Sequence, residues 1–133
     1  MSFDVFVQAF HGGDAAAMPS AAFHEVFGPH IDRTEPQHGY WHVTATDGSE
    51  ADIYARIDDE TLKSLMFTRF GDGDVLDLLA AFARRANAVI MPIGCPTCLT
   101  TPDQRRHLPD GLDSPEAIVV ANGRDIANVI SSN

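Results

Sequence analysis

The start of the chain alternates with a period of two, and both of its faces are substantially apolar. Phe3, Val5 and Val7 alternate with Asp4, Phe6 and Gln8 over residues 3–10. A period of two marks a strand, and apolar residues on both faces predict an inner strand covered on both sides. Gly12-Gly13 breaks it. Pro19-Ser20 then opens a short helix, with Ser20 expected as N-cap and Phe23, Val26 and Phe27 as the buried stripe. Gly28-Pro29 stops it, because glycine suits the position after a helix and proline cannot continue one.

Residues 40–46 read as a second strand, Asp47-Gly48 as a hairpin turn, and 51–57 as the returning third strand. In that strand Ile53, Ala55 and Ile57 share one face and Asp52, Tyr54 and Arg56 the other. After the turn Asp58-Asp59-Glu60, residues 65–70 supply a fourth strand, so that the three form an antiparallel meander. The period then changes. Val75, Leu78, Leu79, Phe82 and Ala86 follow helical spacing over 74–87, with Asp74 and Asp77 at the start and Arg84 and Arg85 at the end, as the helix dipole favours. Residues 89–93 predict a fifth strand, 102–107 a short helix opened by Pro102, 116–120 a sixth strand and 123–130 a closing helix. The order β-α-β-β-β-α-β-α-β-α mixes the two kinds without strict alternation. It predicts a single α+β domain over residues 1–133, with packed helices on a mixed, mainly antiparallel sheet.

A chain of 133 residues, 44% hydrophobic, is long enough to bury a core without disulfides or a structural metal. Charge changes the picture more. Nineteen acidic residues face nine Lys and Arg, for a net charge of −10. Arginines adjoin only as Arg84-Arg85 and Arg105-Arg106, so no basic stripe exists for nucleic-acid phosphates. The acidity suits a basic protein partner instead. The apolar runs fall well short of the ~20 residues that cross a bilayer. Asp4 stands where a signal peptide carries a basic residue, so the expected location is the cytoplasm, with reduced cysteines.

Candidate chemistry is sparse. Cys95-Pro96-Thr97-Cys98 has the spacing of a redox pair or half a zinc site, with His107 as the nearest further ligand. A redox pair needs a helix beginning at its first thiol, but Leu99-Thr100-Thr101-Pro102 follows, so two reduced cysteines in a loop are the plainer expectation. His24, His30, His38 and His42 cluster in sequence without the spacing of a helical metal site. Asp47, Glu50, Asp52, Asp58, Asp59 and Glu60 form an acidic segment relieved only by Arg56, which reads first as turn residues serving the backbone and second as an acidic face at a hairpin. Trp41 reads as core. No GxSxG, Walker loop or GxGxxG is present, and no cofactor is implied.

The opening MSFDVFVQ, the Phe27-Gly28-Pro29 stop, the Asp47-Gly48 turn, residues 77–92 and the pattern over 119–130 together resemble a family of short, uncharacterised bacterial proteins that open with an MSFDVF-type motif. The resemblance spans nearly the whole chain and implies no activity. The cysteine segment at 95–98 departs from that family's pattern. The functional expectation is a non-catalytic protein-binding domain, of immunity or antitoxin type, whose acidic surface meets a basic partner. The alternatives are a small metal or redox protein using Cys95 and Cys98, a small enzyme with His and Asp drawn from separate elements, and a homodimer on an exposed sheet face.

Overall fold

The computed structural model describes residues 3–112 and 116–132. In chain order its strands are β1 (Val5–His11), β2 (Asp14–Ala16), β3 (Met18–Pro19), β4 (Ile31–Glu35), β5 (Tyr40–Thr44), β6 (Glu50–Tyr54), β7 (Thr61–Leu62), β8 (Leu65–Thr68), β9 (Val89–Pro92), β10 (Cys98–Leu99) and β11 (Ile118–Val119). Its helices are α1 (Ser20–Phe27), α2 (Asp74–Arg85) and α3 (Gly123–Ser131), with 3-10 turns at Gly28–His30, Pro36–His38 and Pro102–His107.

The main sheet runs β11-β10-β9-β1-β8-β6-β5-β4, with β2 folded back on the end of β1. Every pairing is antiparallel except β10 with β11. β1 is an inner strand, as its sequence predicts: Val5 lies opposite Phe67 on one side and Pro92 on the other. The meander of β5, β6 and β8 also forms, with β4 added outside β5. The molecule is a single α+β domain with a mixed, mostly antiparallel sheet.

All three helices pack on one face of the sheet. Val5, Val7, Ile53, Phe67 and Ile90 meet Phe23, Phe27, Leu79, Phe82 and Ile126 in one core. Phe23, Phe27 and Phe82 form its centre, with ring centroids 5.3 to 6.3 Å apart. The α2 stripe is turned slightly from the expected one. Leu76 is buried and Leu78 only half so, because α3 packs beside α2 and takes up the Leu76 side.

Several local expectations differ. Ser20 is the first helical residue and Pro19 the N-cap; the Ser20 hydroxyl donates instead to the Asp59 carbonyl, 2.8 Å away. Gly28 keeps a right-handed helical conformation, and the chain tightens into a 3-10 turn where a left-handed stop was expected. Residues 31–35 are a strand although they show no apolar alternation, because an edge strand needs only backbone partners.

The β5–β6 turn caps α2 from outside. The Asp74 and Val75 N–H groups donate to Asp47 Oδ2 and Ser49 Oγ, each at 3.0 Å. Gly73 makes this possible: its φ of +150° suits glycine, and a Cβ there would lie 2.6 Å from Asp47 Oδ2. Gly123 has a comparable role, since a Cβ would strike the α2 backbone at Asp77 N, 2.6 Å away.

Phe82→Ala should cost about 3–5 kcal/mol in chemical denaturation, the usual range for a large cavity in a rigid core. Gly73→Ala should cost about 1–3 kcal/mol through backbone strain, and should also detach Asp47 from α2. Exchange protection of the first α2 amides would report the second effect directly.

Candidate functional site

The other face of the sheet is covered at one end only. There Val89, Leu99, Leu108 and Ala117 form a second small core with Phe10, Met91 and Leu112, beneath the segment around the Pro102–His107 turn. Over β1, β8, β6, β5 and β4 no helix among the described residues lies on this face. The inner strand is therefore covered on both sides at Phe10 but not at Phe6, which is 38% exposed. Double coverage was the expectation for β1, and it fails where the chain supplies no fourth helix.

Register sets the uncovered face in rows. One row runs Tyr40, Tyr54, Met66, Phe6 and Met91 across five strands. With Ile93, 52% exposed in the turn just after β9, it makes an aromatic and methionine band. The neighbouring row runs Arg33, His42, Asp52 and Thr68, and Thr68 donates to Asp4 at 2.7 Å.

The polar row is internally paired. The Tyr40 hydroxyl donates to Asp52 Oδ1 and accepts from Arg33 Nη2, both at 2.7 Å, and Arg69 Nη1 lies 3.5 Å from Asp52 Oδ2. Burial, followed by the bond to Asp52, pushes the Tyr40 phenol above its ordinary value. His42 sits between two carboxylates, with Nδ1 2.5 Å from Asp32 and Nε2 3.1 Å from Glu50. The bond from His42, then that from the Thr44 hydroxyl, holds Asp32 below the usual carboxylate range.

The six acidic residues singled out in the sequence do not form one patch. Asp47 belongs to the helix side, as the α2 cap; hydrogen bonds from the Ser49 hydroxyl and then the Asp74 N–H lower its pKa. Asp52 is buried beneath Tyr40. Glu50 stands at one end of the uncovered face and Asp58, Asp59 and Glu60 on a turn at the other. Of the four early histidines, His24 and His38 are exposed and His30 half-buried on separate elements, and only His42 stands in the rows of this face. Trp41 packs on Phe23 and donates to the Ala55 carbonyl.

The cysteines depart from a plain loop. Cys98 is in β10, wholly buried against the helix-side core, because its partner Ile90 faces that way. His107 is on the opposite side of the sheet, stacked on His11 at 4.7 Å and accepting from the Gly12 N–H. Cys95, Cys98 and His107 thus do not converge, and among the described residues no group of three or more His, Cys, Asp or Glu is placed to hold a metal ion. The chain leaves Cys95 through a turn, not a helix, so no dipole favours a thiolate. Burial raises both thiols, and burial together with Cys95 pushes Cys98 up to about 12. No helix among the described residues is long and apolar enough to cross a membrane.

Matched against family models, curated proteins and solved structures, the chain resembles none of them. The functional reading therefore rests on the geometry of the uncovered face. Periodicity had flagged Asp52, Tyr54 and Arg56 as one side of a strand, but Phe6, Met66, Arg33 and the His42 clamp depend on cross-strand register, which the sequence does not display.

Cys98 gives a checkable pH dependence. Between the ordinary thiol value of 9.0 and about 12, the unfolded chain loses the Cys98 proton while the folded chain keeps it. Stability should therefore fall as pH rises through that window, by on the order of 1 kcal/mol per unit. Urea unfolding of wild type and Cys98→Ala across this range should show a shallower decline in the variant. Below it, iodoacetamide should label Cys95 slowly and Cys98 only after unfolding.

Proposed function

We propose that the domain is a non-catalytic protein-binding module that seats a basic partner on the uncovered sheet face. The observation that carries this is the band of exposed Phe6 and Ile93 with half-buried Met66 and Tyr54, rimmed by carboxylates at both ends. Side chains with apolar bodies on rigid strands give contact area at little ordering cost. Asp58, Asp59 and Glu60 at one rim and Asp32 and Glu50 at the other favour encounter with a positively charged surface. An immunity or antitoxin role, blocking a basic enzyme, fits such a surface.

The reactive groups of the face support binding over catalysis. A catalytic imidazole needs one nitrogen free for substrate, yet both His42 nitrogens face carboxylates. The Tyr40 hydroxyl is likewise held between Arg33 and Asp52.

The test is affinity capture from the native host with three baits: wild type, Phe6→Asp, and Asp58→Arg with Asp59→Arg, each shown to be folded by circular dichroism. The expected partner is rich in Lys and Arg. It should be lost with Phe6→Asp, and it should associate more slowly with the charge-reversed bait and with wild type in high salt, since screening shortens to ~8 Å near physiological ionic strength. An acidic partner, or one indifferent to all three changes, would sink the reading.

A further inference from the structure

The uncovered face continues one step beyond its aromatic band, and the chemistry there is different. Tyr54 pairs with Met66, but the next bridge joins Ile57 to Leu62, so the register slips by one residue between them. The slip leaves the Lys63 carbonyl without a strand partner, and the Gln8 side-chain amide of β1 takes it at 2.7 Å. β6 and β8 part at this point. A cleft of about 520 Å³ opens, lined among others by His38, Tyr54, Arg56, Asp58, Lys63 and Ser64.

Two unpaired cations meet in this cleft. Of the nine Lys and Arg, six are engaged: Arg33 with Tyr40, Arg69 with Asp52, Arg84 with the Ala121 carbonyl, Arg85 with Glu25, Arg105 with the Ala117 carbonyl and Arg106 with Asp103. Arg56, Lys63 and Arg124 have no ion pair among the described residues. Among the described residues cations without such a partner are the minority, and two of the three line one cleft. Asp58 also lines the cleft but forms no ion pair with either among the described residues.

The geometry points to a binding site for a small organic anion, with a flat body on Tyr54 and its charged group between Arg56 and Lys63. Arg56 offers a planar fork suited to a carboxylate or phosphate, and Lys63 a point charge that adapts to either. Tyr54, half-buried beside Tyr40 with ring centroids 5.4 Å apart, is braced to receive a ring. Ser64 and His38 also line the cleft, each with a side chain able to donate a hydrogen bond. This site needs no protein partner and does not rest on the reading above.

The test uses the full chain and four probes: phenyl phosphate, benzoate, inorganic phosphate and phenol. Titrations are followed by amide and side-chain chemical shifts. Phenyl phosphate or benzoate should saturate shifts at Tyr54, Arg56, Lys63 and Ser64, and whichever binds more tightly identifies the anion. Inorganic phosphate should bind at least tenfold more weakly for want of a ring, and phenol should bind more weakly still. Arg56→Ala with Lys63→Ala, both exposed positions, should lower affinity at least tenfold with the spectrum otherwise unchanged. Tyr54→Leu should bring phenyl phosphate down toward inorganic phosphate. Shifts absent from this cleft with every anion, phenol binding equal to phenyl phosphate, or affinity unmoved by the double change would each overturn the proposal.

Discussion

The whole arrangement depends on β1 pairing with both halves of the chain at once. Its Val5–Val7 segment is hydrogen bonded to β8 on one side and β9 on the other, so within the sheet the meander and β9 join through it. These contacts are distant in sequence, and ordering them costs loop-closure entropy before any burial repays it. The return comes from one face. Val5 and Val7 are fully buried beneath the helices, in the core centred on Phe23, Phe27 and Phe82. The strand is thus held by backbone bonds at both edges and by packing on one side.

That one-sidedness explains the other face. Three helices suffice for one surface of a sheet this wide, and the Pro102–His107 segment reaches only its β9–β10 end. Gln104 anchors that segment: its carbonyl accepts from the Thr100 and Thr101 amides, while its NH₂ donates to Asn87, Ala88 and Thr100. Such a buried, fully paired amide fixes where the cover stops. Beyond it the strands must be finished with side chains that tolerate water. β4, β5 and β6 do this with the row of Arg33, His42 and Asp52, paired in part with Tyr40 of the next row, whereas β1 and β8 present Phe6 and Met66.

The sequence revealed what has a period, and little of what depends on register. The α2 stripe was legible because Val75, Leu79 and Phe82 repeat at helical spacing and all are buried. β1 and the Asp47-Gly48 hairpin were legible for similarly local reasons. β4 was not, because Ile31–Glu35 needs no apolar face at the sheet edge, and β10 was hidden because two residues carry no period. The acidic segment shows the same limit at the level of the site. Its six carboxylates are close in sequence, yet Asp47 caps a helix, Asp52 is buried under a tyrosine, and Glu50 and Asp58 stand at opposite ends of one face. Composition gave the charge, but only strand pairing decides where it stands.

Partition of charge is also what separates structural from available groups. Asp32, Glu50 and His42 satisfy one another, as do Arg33, Tyr40, Asp52 and Arg69. A group held in such a pair must break it before it can meet a ligand, and that loss is subtracted from any affinity gained. Groups without partners carry no such debit. Among the described residues of the uncovered face these are the apolar surfaces of Phe6, Met66 and Ile93, the carboxylates of the 58–60 turn, and Arg56 and Lys63 where the register slips. The first two sets suit a broad surface with basic charge. The last, confined to a cleft beside Tyr54, suits a molecule small enough to enter it. A partner covering the band would close over that cleft, because Tyr54 belongs to both, so occupancy of one site bears on access to the other.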